Sequence, residues 1–255
     1  MTEAAAYVWI LRGYLAVALV TFPVLFFITA PYGRHAGESR FPTINATLGW
    51  VIMESPSALV PLGCWAVGEH RWDPARLALL ALWELHYVHR AYIFPFRRRG
   101  GETRMPITVV GAALAFTSVN SYLNARWLFT LSPESAYGVS WLWDPRFLLG
   151  VALFFGGYAV NQQSDRILFN LRKPGEKGYK IPHGGMYRFV SCPNYLGELV
   201  EWCGWAIAAW SLAGVGFAVW TAANLVPRAV AHHRWYREKF AEYPPERKAI
   251  LPFVL

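Results

Sequence analysis

Seven apolar runs divide this 255-residue chain, and their lengths constrain its fold more than any other feature. They cover residues 7–30, 47–67, 76–94, 106–122, 147–167, 195–212 and 215–230. Each comes close to the ~17–25 residues that an α-helix needs to cross a bilayer. Backbone in lipid must satisfy its own polar groups, so such runs predict helices. Composition agrees: 55% of residues are hydrophobic and 16% charged, whereas soluble domains carry about a quarter charged. The expected fold class is all-α, a multi-spanning membrane protein with seven transmembrane helices. Only Ala213-Gly214 separates the last two runs, which predicts a tight helical hairpin at that point. No cleavable signal peptide is expected, because the first run is long and lacks a clear small-residue cleavage site.

Basic residues orient the spans. Arg34, Arg40, Arg97, Arg98, Arg99, Arg104, the loop from Arg166 to Arg188 and the tail from Arg228 fall on one side. The other side holds only Arg71, Arg76, Arg126 and Arg146. The positive-inside rule then predicts an outside N-terminus and a cytosolic C-terminus. The net charge of +8 follows from this asymmetry and implies no nucleic-acid partner. Cys64, Cys192 and Cys203 are too few and too scattered for a disulfide framework or a zinc site. No second domain, repeat or obligate protein partner is evident. Membrane lipid is the expected surrounding, either a bacterial inner membrane or the endoplasmic reticulum.

Polar residues interrupt the apolar runs. Asn161 and Asp165 share a helix face, and Asn194, Glu198 and Glu201 form a second stripe at i, i+4, i+7. Between them lies a loop with Arg172, Lys173, Lys177, Lys180, the turn Pro174-Gly175 and the pair Gly184-Gly185. Ionisable groups at membrane depth mark functional sites, and cationic donors in a Gly/Pro-rich loop suit a phosphate-bearing ligand. Helix-to-helix hydrogen bonding and a snorkelling basic loop are the plainer explanations. Arg228, His232 and Tyr236 repeat a helical stripe where the last run ends, beside His233 and Trp235. That stripe either closes over the same ligand or forms an interfacial belt. His86 and His89 are three apart, but no third ligand for a metal is apparent.

The N-terminal half carries a second set. Glu54 stands in the second run, and Glu84, His86, Tyr87, His89 and Arg90 interrupt the third. A carboxylic acid beside a tyrosine hydroxyl, in an apolar pocket, donates well to a substrate carbonyl. A Glu54–Arg90 or Glu84–Arg90 ion pair is the structural alternative.

These residues carry a resemblance. Asn161, Asp165, the run from Leu171 to Glu176, Tyr179, Ile181-Pro182 and Gly184-Gly185 resemble the steroid 5α-reductase family. So do the run Asn194 to Glu198, Glu201-Trp202, the run His232 to Tyr236, Tyr243-Pro244, Arg247-Lys248 and Pro252-Phe253. Upstream, Glu54, Pro56 and the run His86 to Arg90 also fit, so the resemblance spans nearly the whole chain. It implies an oxidoreductase that uses NADPH to reduce the 4,5 double bond of a 3-oxo-Δ4 steroid. It further implies that Asn161, Asp165, Arg172, Tyr179, Asn194, Glu198, Arg228, His232, Tyr236 and Arg247 hold the dinucleotide. Trp50 would meet its nicotinamide end, while Glu54 and Tyr87 would address the steroid carbonyl. Residues 1–126 would then form mainly the substrate side of one catalytic domain, and 127–255 mainly the cofactor side. Met53 departs from the family, whose members often carry Gln there. Reductases of other enone or polyprenoid lipids share this chemistry. An isoprenylcysteine-type methyltransferase, using S-adenosylmethionine, shares only the C-terminal pattern, and a transporter would call for repeats or broken helices in both halves.

Overall fold

A computed structural model of the chain describes residues 1–28, 40–97, 104–172, 176 and 178–255. Arg34, Arg98, Arg99, Lys173, Pro174, Gly175 and Lys177 of the basic loops lie outside the described residues. The chain is mostly helical: α1 (Glu3–Phe27), α2 (Ala46–Val67), α3 (Pro74–Val88), α4 (Phe94–Arg97), α5 (Ile107–Arg126), α6 (Pro145–Asn170), α7 (Pro193–Ala209) and α8 (Leu212–Lys239). A π-helical turn, His89–Ile93, joins α3 to α4. Another, Trp127–Leu131, extends α5. Among the described residues each apolar run falls mainly on one helical stretch, the run 195–212 ending across the turn into α8. The departure from all-α is a short antiparallel ribbon, β1 (Thr43–Asn45) with β2 (Arg104–Pro106), in which Ile44 faces Met105. Arg104 secures it by donating from Nε to Thr43 Oγ1 at 2.7 Å.

Local chemistry starts these helices where they start. Asn45 Oδ1 accepts from the Thr47 and Leu48 nitrogens at the head of α2. Asp73 accepts from Ala75 N ahead of α3, and Asp144 from Arg146 N ahead of α6. In both cases a proline occupies the first turn, where its missing N–H goes unneeded. The α7–α8 hairpin turns earlier than the Ala213-Gly214 spacing predicts. Trp210 takes a left-handed conformation (φ 43°), Ser211 caps α8 by accepting from Gly214 N at 3.0 Å, and Ala213 and Gly214 are already helical. The serine cap supplies the start that the glycine was expected to mark.

Two of the helices, α1 and α2, are long and apolar enough to cross a membrane. Large apolar side chains point outward from several helices, including Trp9, Val20 and Phe27 on α1, Leu59 on α2 and Leu148 on α6. Such an outer surface suits lipid. The core beneath is aromatic: Trp83 packs on Trp202, Trp205 and Phe217 at 5.4, 5.0 and 5.5 Å between ring centroids. α1 docks on α5 and α8 through Tyr7 OH to Leu123 O and Trp220 Nε1 to Tyr14 O.

The closest helix contact is α6 against α7, where glycines remove the side chains between two backbones. A Cβ on Gly197 would lie 2.5 Å from the Asn161 nitrogen, and one on Gly204 2.5 Å from the Phe154 nitrogen. Gly157 and Gly150 stand opposite them and face the same obstruction from the other side. Gly197→Ala should therefore destabilise the protein by about 1–3 kcal/mol, the scale of core overpacking. Gly111→Ala on α5 meets nothing within 4 Å and should be neutral or slightly stabilising. Thermal unfolding in detergent checks the pair; equal shifts would refute a backbone-to-backbone seam.

Candidate active site

The predicted site residues collect around a cation that the sequence reading treated only as a structural partner. Arg90 lies in the π-helical turn after α3, and its Nε stands 3.8 Å from Glu54 Oε1. Its guanidinium covers the Trp50 ring at 4.6 Å and the Phe94 ring at 4.7 Å. It interacts electrostatically with Glu198, Glu54 and Asp165. The structure thus contains the Glu54–Arg90 pairing that the sequence left as an alternative. Asp165 of α6 and Glu198 of α7 lie within electrostatic reach of the same guanidinium. The π turn inserts an extra residue into the helix and re-aims the side chains after it, a distortion that recurs at functional sites.

Amides complete this group. Asn161 Nδ2 donates to the Asn194 carbonyl at 3.0 Å, and Asn194 Nδ2 donates to Asp165 Oδ1 at 3.3 Å. The predicted residues Trp50, Glu54, Asn161, Asp165, Asn194 and Glu198 are therefore neighbours. Tyr87 joins them, buried against Trp83 and Trp202 at 4.9 and 5.5 Å, with Glu54 and Glu198 within electrostatic reach. A proline helps to hold it there. Pro61 lacks the N–H that would meet Ser57 O, and Trp83 Nε1 takes that carbonyl at 2.7 Å. This bond ties α3 to α2 one turn before Tyr87. His86 and His89 find separate partners, Glu201 Oε1 at 2.7 Å and Gln162 Nε2 at 3.2 Å.

A second group forms where the C-terminal half of α8 meets the start of α7. Arg228, His232 and Tyr236 share one buried face of α8. Arg228 Nε donates to Tyr195 OH at 3.2 Å, the His232 ring lies 5.7 Å from Tyr195, and Tyr236 stacks on Tyr243 at 5.2 Å. Arg247, buried in the tail, donates to Pro182 O at 3.0 Å and to His183 Nδ1 at 3.3 Å. Strand-like bonds lace the tail to the loop: Ser191 N to Lys248 O at 2.8 Å and Lys248 N to Phe189 O at 2.9 Å. Ser191 Oγ also meets His233 Nδ1 and Tyr243 OH, each at 2.6 Å. Burial raises the Tyr243 phenol above its ordinary range, although Ser191 and Arg247 pull it down, so it stays a neutral donor. Tyr179 is half exposed and meets Trp235 at 4.8 Å, while Arg172 Nη1 donates to Gly178 O at 3.3 Å.

Tyr187 connects the two groups, and the sequence did not single it out. It is 1% exposed, its hydroxyl has no hydrogen-bond partner among the described residues, and Asp165, Cys192, Tyr236 and Tyr195 surround it. Burial pushes its phenol well above the ordinary range. Arg247 Nε is likewise buried and unpartnered among those residues. Beside it opens a cleft of about 580 Å³ lined by His183, Gly184, Gly185, Arg188 and Arg247, with the Glu246 carboxylate also at its wall. Gly184 (φ 90°) and Gly185 (φ 50°) take backbone conformations that glycine adopts freely. Two guanidiniums, orphaned buried donors and close backbone fit an anionic, phosphate-bearing ligand.

Carboxylates, amides and a guanidinium are enclosed by a helical bundle, two of whose helices are long and apolar enough to cross a membrane. Sequence comparison assigns the family. Residues 103–255 match the family model described as 3-oxo-5-alpha-steroid 4-dehydrogenase, and the chain belongs to that family. It is 44% identical over 246 residues to 3-oxo-5-alpha-steroid 4-dehydrogenase 1 of Bos taurus, covering 94% of this chain and 93% of the relative. It is 42% identical over 237 residues to a steroid 5-alpha-reductase of Arabidopsis thaliana, covering 91% and 90%. To 3-oxo-5-alpha-steroid 4-dehydrogenase 1 of Homo sapiens it is 44% identical over 225 residues, covering 88% and 85%. Membership makes it an oxidoreductase acting on CH–CH bonds.

Because Arg90 is the cation that three carboxylates share, its removal leaves buried charge uncompensated. Arg90→Met should lower stability by about 1–3 kcal/mol, the cost of leaving a partly buried carboxylate without its partner. The double variant Arg90→Met/Glu54→Gln should recover part of that loss. Thermal unfolding of both proteins checks this, and a double variant no better than the single one would separate Glu54 from the cluster.

Proposed function

We propose that this chain uses NADPH to reduce the 4,5 double bond of a 3-oxo-Δ4 steroid, inside a bundle that crosses the membrane seven times. The observation that carries this reading is the meeting at Arg90 of Glu54 on α2 with Asp165 and Glu198 on α6 and α7. It sets the donors of the N-terminal half beside the amides and acids of the C-terminal half. The names of the relatives supply the substrate class. The outward apolar surface of the helices supports membrane burial, with residues 1–126 mainly on the steroid side and 127–255 mainly on the cofactor side.

Bound NADPH would supply the hydride chemistry for the β-carbon of the enone. Charge then moves onto the carbonyl oxygen, where donors stabilise the transition state more than the ground state. Tyr87 and Glu54 are assigned to that oxygen. Asn161, Asp165, Asn194 and Glu198 would orient the polar part of the cofactor beside Trp50. Arg172, Tyr179, Arg228, His232, Tyr236 and Arg247 would hold its ribose and phosphate end, where the cleft and the unpartnered Arg247 Nε lie.

The purified protein, assayed for NADPH oxidation against a panel of enone lipids, should reduce 3-oxo-Δ4 steroids. Glu54→Gln and Tyr87→Phe should each cut turnover by roughly 10²–10⁴-fold, with NADPH affinity unchanged. Arg172→Ala should instead weaken NADPH binding by about 1.5–3 kcal/mol. Stabilisation by S-adenosylmethionine, and not by NADPH, would overturn the assignment.

Seven crossings put the two ends of the chain on opposite faces. Cysteines placed at Thr2 and Val254 should label from opposite sides of sealed vesicles, Val254 from the cytosolic one. Labelling of both from one side would require an even number of crossings.

A further inference from the structure

His86 and Glu201 lie outside the roles assigned above, yet they form the best-defined polar contact between the two halves of the chain. Glu201 is 0% and His86 5% exposed, and Nδ1 and Oε1 are 2.7 Å apart. Glu201 Oε2 has no hydrogen-bond partner among the described residues, so the directional hold of this side chain goes to His86. Each member is followed in sequence by an aromatic residue, and those also meet. Tyr87 lies 5.5 Å from Trp202, and the His86 ring stands edge-on to Tyr87 at 4.9 Å and to Trp202 at 4.7 Å.

We propose that His86 and Glu201 are a positioning pair, which fixes the rotation of α3 against α7 so that the Tyr87 hydroxyl is held where the substrate oxygen arrives. The proposal rests on the donor role given to Tyr87. Stability does not call for the pair, since replacing a buried ion pair by apolar side chains of similar volume is often neutral or stabilising. Orientation does call for it. The rings around Tyr87 make non-directional contacts that tolerate a small rotation of α3, whereas a short hydrogen bond between two buried side chains does not. Glu201 is itself on fixed ground, because a Cβ on Gly157 would collide with its backbone nitrogen and Cα. A displacement of about 1 Å at a reacting group can cost on the order of 10²-fold in rate.

A double-mutant cycle tests this, read as kcat, NADPH affinity and thermal stability. Glu201→Leu should lower kcat about 10- to 100-fold with NADPH affinity close to the parent, and should lower the unfolding temperature because the buried His86 imidazole loses its partner. Glu201→Gln, which keeps the length and a hydrogen bond to the imidazole, should stay within about threefold of it. Glu201→Asp, one methylene short, should behave like the Leu variant and provides the contrast if Glu201→Leu does not fold. In a Tyr87→Phe background, none of the three should lower kcat further, because a residue that acts through Tyr87 has nothing left to position. Independent, multiplicative losses in that background would overturn the proposal, as would a Glu201→Gln variant as slow as Glu201→Leu. Parent-like turnover in Tyr87→Phe itself would instead remove the donor role of Tyr87, and the pair's function with it.

Discussion

Contact between two backbones, α6 and α7, organises this molecule. Gly150 and Gly157 on one helix face Gly204 and Gly197 on the other, each glycine seven residues from its neighbour on the same helix. The absence of side chains there lets the helices approach closely, as small residues do in membrane bundles generally. The consequence is chemical as well as mechanical. Asn161 lies against Gly197, and Glu201 against Gly157, so the polar residues next to the seam are pressed together. Asn161 reaches the Asn194 carbonyl and Asn194 reaches Asp165 only because the backbones are this close. Leucines at the four positions would have supplied apolar packing and no site.

The seam places acids that then need a counter-charge, and α3 delivers it. Arg90 enters from the π-helical turn, covered by Trp50 and Phe94, and faces Glu54, Asp165 and Glu198. Desolvated charges are expensive unless paired, so this arrangement couples four helical segments. Movement of any of them exposes an unbalanced group. The aromatic cover serves the same end, since it keeps water from the guanidinium while offering its own electron-rich face.

Much of this was legible in the sequence, for identifiable reasons. The mostly helical fold follows from the apolar runs, whereas the start of α8 was expected at Ala213-Gly214 and is set by the Ser211 cap. The stripes on α6, α7 and α8 followed from helical spacing, and the resemblance to a known family attached roles to them. What escaped depends on distortion or on packing between segments remote in sequence. A π turn leaves no signature in a 3.6-residue period, so Arg90 was noted as a partner for an acid and not as the centre of a site. Glu201 shares a stripe with Asn194 and Glu198, yet it pairs with His86, because three further residues carry it past the cluster toward the aromatic core. Tyr187 sits in a loop without periodicity, and only the fold of the tail over that loop buries it.

The two polar groups differ in how they are held, and the difference follows from their surroundings. Around Arg90 the restraints are helix packing, glycine contacts and the Trp83–Ser57 bond made possible by Pro61, all of which act through rigid elements. Around Arg247 they are backbone bonds between the loop and the tail, reinforced by Ser191, His233 and Tyr243. The first arrangement suits groups whose positions must be set to fractions of an ångström, because a helix transmits its register to each side chain. The second suits a ligand that must enter and leave, since loop and tail can part by exchanging hydrogen bonds with water. Tyr187 stands where the two regimes meet, within electrostatic reach of Asp165 on the rigid side and Tyr236 on the other. A ligand lying along that line would be gripped loosely at its charged end and tightly at its reacting end, the distribution of binding energy that favours chemistry over retention.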